Sequence, residues 1–119
     1  EFRRVLFRSK FSKEFLKRLD EHDIEYENIP QNRIVMSTPT KVTEEEIRQE
    51  LIIYGNNPID KWCMKNACIQ VWDTGHVMLV KEKNMPGKKI DGAVSTIIAN
   101  ETYRRNRAEY MLYVKKNRR

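Results

Sequence analysis

The segment from Lys10 to Ile29 constrains the fold of this 119-residue chain more than any other. Phe11, Phe15, Leu16 and Leu19 fall at i, i+4, i+5 and i+8, the spacing of one helix face, while Lys13, Glu14, Lys17 and Arg18 take the other. That spacing predicts a helix over Lys10–Asp23. Ile24–Ile29 (IEYENI) then alternates apolar and polar side chains, a short strand that Pro30 ends. A helix leading into a strand is half of a β–α–β unit, the element of an α/β fold, and requires a strand ahead of the helix. Glu1–Ser9 (EFRRVLFRS) occupies that place, lacks an initiator Met, and resembles an in-frame translation of a sequencing-adapter strand. Residues 1–9 are therefore expected to be non-native and are set aside, as a tag would be. The remainder is expected to be a piece of a longer protein whose preceding strand is missing. Without that neighbour, the Ile24–Ile29 strand and the Phe11/Phe15/Leu19 face are expected to be uncovered, leaving the chain marginal or self-associating.

Beyond Pro30 the pattern is mixed. Gln31–Ser37 carries little periodicity and reads as a linker. Thr38-Pro39 resembles a cap followed by a first-turn proline, and Thr43 with Glu46 a capping box one turn later. The helix so begun is expected to run to about Ile53, burying Val42, Ile47 and Leu51, until Gly55 stops it. Asn57-Pro58 repeats the cap-plus-proline signal for a short helix with Ile59, Trp62 and Cys63 inward. Ala67–Trp72 and His76–Lys81 are β-rich runs on either side of Asp73-Thr74-Gly75, a three-residue hairpin loop with glycine at the position of positive φ. Asn84–Lys89 is a basic turn. Ile90, Val94, Ile97 and Ile98 define the stripe of a helix over Ile90–Thr102, with Ala93 at its margin; from Tyr103 the chain either continues that helix or frays, with Tyr110, Leu112 and Tyr113 as anchors. Three visible strands are few for a sheet with two faces to bury, as expected of a truncated α/β domain.

Composition excludes several classes. No apolar run approaches the roughly 18 residues of a membrane span, so no membrane association is expected. Two Cys and two His make neither a disulfide framework nor a four-ligand zinc site. Neither a G-x-x-x-x-G-K-[ST] nor a G-x-G-x-x-G run is present, which leaves no visible nucleotide site. The formal charge of +6 lies entirely in the last third: residues 81–119 hold 11 basic and 4 acidic side chains. Two readings stay open, an anionic partner such as nucleic acid and a solvated basic tail.

Asp91 is the leading candidate for chemistry. It opens the Ile90 helix, where the positive end of the macrodipole favours a negative charge, and it follows Lys88-Lys89 and precedes Gly92. A carboxylate so placed suits Mg²⁺ or Mn²⁺, hard ions that take oxygen ligands and retain water; equally, Asp is a common first-turn or cap residue. Asp73-Thr74-Gly75 matches an aspartic-protease tripeptide but sits between two alternating strands, as a turn does. Cys63 and Cys68 have no histidine close in sequence and read as small buried groups. Trp62 and Trp72 stand in apolar contexts that favour core over base stacking. His76 reads as a hairpin residue.

Three blocks taken together, Asn56-Asn57-Pro58-Ile59-Asp60-Lys61-Trp62, Asn66-Ala67-Cys68 and Lys89-Ile90-Asp91-Gly92-Ala93-Val94, resemble the C-terminal part of a tailed-bacteriophage terminase large subunit. The resemblance runs from about Phe11 to Ile98. Gly55-Asn56-Asn57-Pro58 is one residue longer than that family's GNP, and Tyr54 and Ser95 depart from its usual residues. It implies a truncated RNase H-like nuclease domain over residues 10–102 with a basic C-terminal tail at 103–119. It also implies a two-metal endonuclease that cuts concatemeric double-stranded DNA in the host cytoplasm, working beside an ATPase, the terminase small subunit and the portal. Asp91 is then a catalytic metal ligand for Mg²⁺ or Mn²⁺, and Lys88 and Lys89 contact the DNA backbone. The family's earlier acidic ligands match none of Asp20, Asp23 or Asp60, so the chain alone is expected not to cleave DNA. A non-catalytic DNA-binding module using the basic C-terminal third, or another RNase H-like nuclease such as a resolvase or integrase, are the alternatives.

Overall fold

The computed structural model describes residues 4–7, 13–53 and 55–118, the first four as chain path alone. The chain forms two units, Glu1–Gln31 with Ile98–Arg119, and Asn32–Ile97.

In the first unit, β1 (Arg4–Phe7) and β2 (Glu25–Asn28) pair in parallel, with Arg4 opposite Glu25 and Phe7 opposite Asn28. Helix α1 (Lys13–Glu21) joins them, completing the β–α–β unit. The expectation that β2 lacks a neighbour is therefore corrected: residues 4–7, within the segment expected to be non-native, pair with it. Leu19 is buried and Phe15 partly exposed, while Phe11 falls outside the described residues. The helix closes in a Schellman motif. Ile24 N–H donates to the Leu19 carbonyl at 2.9 Å, with Asp23 at φ +52° in the left-handed position that ends the turn.

Helix α4 (Asp91–Arg105) contributes its second half to this unit, followed by α5 (Arg107–Lys116). The choice between continuation and fraying is resolved by a break at Asn106. Its side-chain amide donates to the Thr102 carbonyl at 2.8 Å and to Glu27 Oε2 at 2.8 Å, so it competes with the helix ladder while tying the break to β2. Tyr103 and Tyr110 then meet edge to face across the break, ring centres 5.6 Å apart.

The second unit opens with α2 (Arg33–Arg48), which begins six residues before Pro39 and absorbs most of the expected linker. Asn32 caps it by accepting from Val35 N–H at 3.0 Å. Pro39 consequently lies inside the helix, and Thr43 and Glu46 form no capping box. The buried stripe is Met36, Ser37, Pro39, Thr40 and Thr43; Ile47 and Leu51, expected inside, are exposed. Hydroxyls make that stripe possible because the backbone satisfies them. Thr40 Oγ1 donates to the Met36 carbonyl at 2.7 Å, and Ser37 Oγ accepts from Val77 N–H at 3.1 Å. The helix ends at Arg48 rather than near Ile53. Leu51 N–H donates to the Glu46 carbonyl and Glu50 N–H to Ile47, a second Schellman motif with Glu50 at φ +57° in place of a glycine.

Helix α3 (Pro58–Asn66) starts as its sequence predicts, with the Asn57 side chain accepting from Ile59 N–H at 2.9 Å and Pro58 in the first turn. Its strands follow at once. β3 (Ala67–Val71) and β4 (Val77–Lys81) are antiparallel, Ile69 opposite Leu79, and Gly75 takes φ +85° in the expected loop. Trp72 N–H to the His76 carbonyl and Gly75 N–H to the Trp72 carbonyl close the turn, which makes Asp73-Thr74-Gly75 a hairpin loop and not a protease motif. Ile90, Ala93, Val94 and Ile97 supply the apolar face of α4 here; Ala93, placed at the margin by its spacing, is fully buried.

Candidate functional site

Two segments of the second unit meet at the start of α4: helix α3 and the loop after β4. The connection begins with Asn66. Its buried side chain donates from Nδ2 to the Lys89 carbonyl at 3.0 Å, across 23 residues of sequence. This one bond sets where the loop hands over to the helix. Ile90 is buried beside it, and its carbonyl accepts from Val94 N–H at 3.0 Å as the first helical bond. Asp91 is therefore the first residue inside the helix, exposed, with the cap position held by Ile90. A carboxylate in that turn faces the positive end of the helix dipole.

Gly92 explains how α3 reaches this place. A Cβ on residue 92 would lie 2.9 Å from Asp60 Oδ1, 3.2 Å from Cys63 Cβ and 3.3 Å from Cys63 Sγ. The missing side chain lets the Asp60/Cys63 side of α3 touch the α4 backbone. That rotation of α3 buries Cys63 and Asn66 and turns Ile59 and Trp62 outward, 68% and 45% exposed, against the expectation that both face the core. The helix follows its polar requirement, because the Asn66 amide must be paired where it is buried. Asp60, which the sequence reading matched to no site, is thereby brought beside Asp91's neighbour. A glycine in the first turn of an otherwise apolar-periodic helix was the signal for such an approach.

Lys88 and Lys89 flank the same start. Lys88 Nζ pairs with Glu82 Oε2 at 2.7 Å, both side chains partly exposed, and Lys88 N–H donates to the Met85 carbonyl. Lys89 is exposed at its side chain and fixed at its carbonyl. Trp72 is half-buried under the Arg33 guanidinium, 5.5 Å from its ring centre, and His76 Nδ1 lies 2.6 Å from Thr74 Oγ1 within the hairpin turn. Cys68 is half-buried in β3 and remains a thiol, as does Cys63.

Asp91 offers carboxylate oxygens, the donors that hard divalent cations take, while Asp60 and the Cys63 thiol both lie against Gly92. Among the described residues there is no group of three or more His, Cys, Asp or Glu able to hold an ion. Asp91 by itself would bring one carboxylate to such a centre. Among those residues, too, no helix is long and apolar enough to cross a membrane.

Removing the Asn66 amide isolates the contribution of the bond to Lys89. Asn66→Ala is expected to cost about 1–3 kcal/mol, because the Lys89 carbonyl loses its partner in a half-buried setting. Urea unfolding measures the loss, and amide exchange at Asp91 and Gly92 should accelerate with it; unchanged exchange there would show that the bond does not hold the helix start.

The family model described as terminase large subunit, endonuclease domain, matches residues 4–107. No curated protein and no solved structure matches the chain.

Proposed function

The chain belongs to the terminase large subunit endonuclease-domain family, and on that premise we propose that it forms part of an RNase H-like nuclease cutting concatemeric phage DNA during genome packaging. In that role it works in the host cytoplasm with the terminase small subunit and the portal. The observation that carries the reading is the family match across 104 of 119 residues, which includes the loop and helix start bearing Asp91. Asp91 is the residue that holds Mg²⁺ or Mn²⁺, from an exposed position in the first turn of α4. When bound, divalent ions in such a site activate the attacking water and stabilise the leaving oxygen. Asn66 keeps the helix start in place through Lys89, and Gly92 keeps α3 against it. Lys89, and Lys88 once it exchanges Glu82 for phosphate, neutralise the DNA backbone without reading sequence.

This assignment of the lysines has a salt signature. Lys88→Ala with Lys89→Ala is expected to weaken double-stranded DNA binding about tenfold at low salt, and to flatten the slope of log K against log salt by about 1 to 2. The loss should be uniform across sequences. Fluorescence anisotropy over a salt series measures both, and an unchanged slope would remove the two lysines from the DNA path.

A second reading, a DNA-binding module without chemistry, is favoured by the cations of α5 and its flanks. It requires binding that persists in chelator and after Asp91→Asn, with the salt slope lost instead when Lys115, Lys116 and Arg118 are neutralised.

A further inference from the structure

The turn of α3 that buries Cys63 and Asn66 lays the opposite side of the helix bare. At about 100° per residue, Pro58, Lys61, Trp62 and Lys65 share that outer side, with Ile59 at its edge. All five are exposed. Asp60, the carboxylate of this helix, lies on the inner side, where its Oδ1 would stand 2.9 Å from a Cβ at residue 92. The outer side therefore carries positive charge that its own helix does not oppose. Among the described residues, neither Lys61 nor Lys65 forms an ion pair.

The spacing joins two kinds of contact. Lys61 and Lys65 are one turn apart, about 5–6 Å between Cβ atoms, and Trp62 neighbours the first and lies three residues before the second. Two ammonium groups neutralise phosphates, and an indole beside them offers a face on which any base can stack. A closed duplex keeps its bases stacked inside and brings the ring only sugar and phosphate. An unpaired strand brings base faces and phosphates together. DNA also has a reason to be here. Helix α3 is seated on the start of α4 through Gly92, so its outer side is about one helix diameter, roughly 10 Å, from that start.

We propose that the outer side of α3 is a subsite for unpaired DNA, in which Trp62 stacks on a base and Lys61 and Lys65 hold the phosphates flanking it. The proposal rests on the nuclease reading for its ligand, since a strand cut beside the α4 start frays into single-stranded ends there. Its residues are separate from Asp91, Lys88 and Lys89. It also reverses the expectation that the apolar context of Trp62 favours core over base stacking.

Tryptophan emission tests it in the 119-residue chain carrying Trp72→Phe, which leaves Trp62 as the sole indole. EDTA is present, so neither cleavage nor a bound metal contributes. An oligothymidylate of about ten nucleotides should quench the emission about twofold, whereas a closed DNA hairpin and polyglutamate should leave it nearly unchanged. By anisotropy with a labelled oligothymidylate, Trp62→Ala in the unmodified chain should weaken binding about tenfold, and Trp62→Phe should retain most of the affinity. Lys61→Gln with Lys65→Gln should flatten the salt slope by about 1 to 2 while the urea midpoint and circular dichroism stay unchanged. Absence of quenching by oligothymidylate, or unchanged affinity in Trp62→Ala, would overturn the proposal. Equal quenching by the hairpin would overturn it in favour of a duplex contact, and equal quenching by polyglutamate in favour of an acidic protein surface. Failure of the nuclease reading has a different signature, nicking that survives Asp91→Asn, which leaves this quenching in place.

Discussion

Gly92→Val lowers the stability of the chain by about 2–3 kcal/mol, the upper range for forcing extra methyl groups into a packed contact. The cause is specific. The first added carbon would meet Asp60 Oδ1 at 2.9 Å, and Cys63, buried and without room to retreat, lies 3.2 Å away. The remedy open to the fold is to lift α3 off the start of α4, which strains the Asn66 bond to Lys89. Gly92→Ala should cost less, since the gain of roughly 1 kcal/mol in helix propensity offsets part of the clash. Urea unfolding of both variants measures the difference. Midpoints equal to that of the unmodified chain would show that α3 and α4 do not touch as described.

Asp91→Asn carries the largest effect on chemistry. In a terminase large subunit containing this sequence, Mn²⁺-dependent nicking of supercoiled plasmid is expected to fall by about two to three orders of magnitude, the scale of removing charge stabilisation from the reacting centre. Double-stranded DNA affinity should change little, since phosphate contacts fall to the lysines. Retained nicking in the variant would release Asp91 from the proposed role. The 119-residue chain by itself is expected to stay at background, because its described residues include no group of three or more His, Cys, Asp or Glu that could hold an ion. Nicking by this chain that depends on Asp91 would show a centre completed from its own residues.

The elements that announced themselves did so through chemistry with one structural meaning. Asn57-Pro58 can only begin a helix cheaply, and Asp73-Thr74-Gly75 between two alternating runs can only turn, so α3 and the hairpin were legible in place and type. The apolar stripe of α4 was legible for the same reason. Helix α2 was not, because its buried face includes Ser37, Thr40 and Thr43, which look polar in sequence, and the Ser37 and Thr40 hydroxyls are satisfied by backbone groups in the fold. Its end was misplaced because Glu50 adopts the left-handed conformation that sequence reasoning reserves for glycine. The stop of α4 at Asn106 depended on Glu27, 79 residues earlier, which no local pattern reveals.

For the candidate site, the position of Asp91 in a helix first turn followed from spacing, and its exposure agrees with it. What lay beyond reach was the neighbourhood. Asp60 arrives because Gly92 leaves space and because α3 turns to pair Asn66, and that choice overrode the apolar pattern of Ile59 and Trp62. The pairing of Lys88 with Glu82 likewise depends on the path of a loop in which Asn84 takes φ +62°.

Paramagnetic broadening of amide resonances by Mn²⁺ tests the central claim most directly, since it needs neither DNA nor turnover. Titration into the ¹⁵N-labelled chain should first broaden Asp91, Gly92 and Asp60, and Asp91→Asn should abolish the effect at equal Mn²⁺ while leaving the rest of the spectrum in place. Broadening centred elsewhere, or unchanged by that substitution, would contradict the assignment of Asp91 as a metal-holding carboxylate.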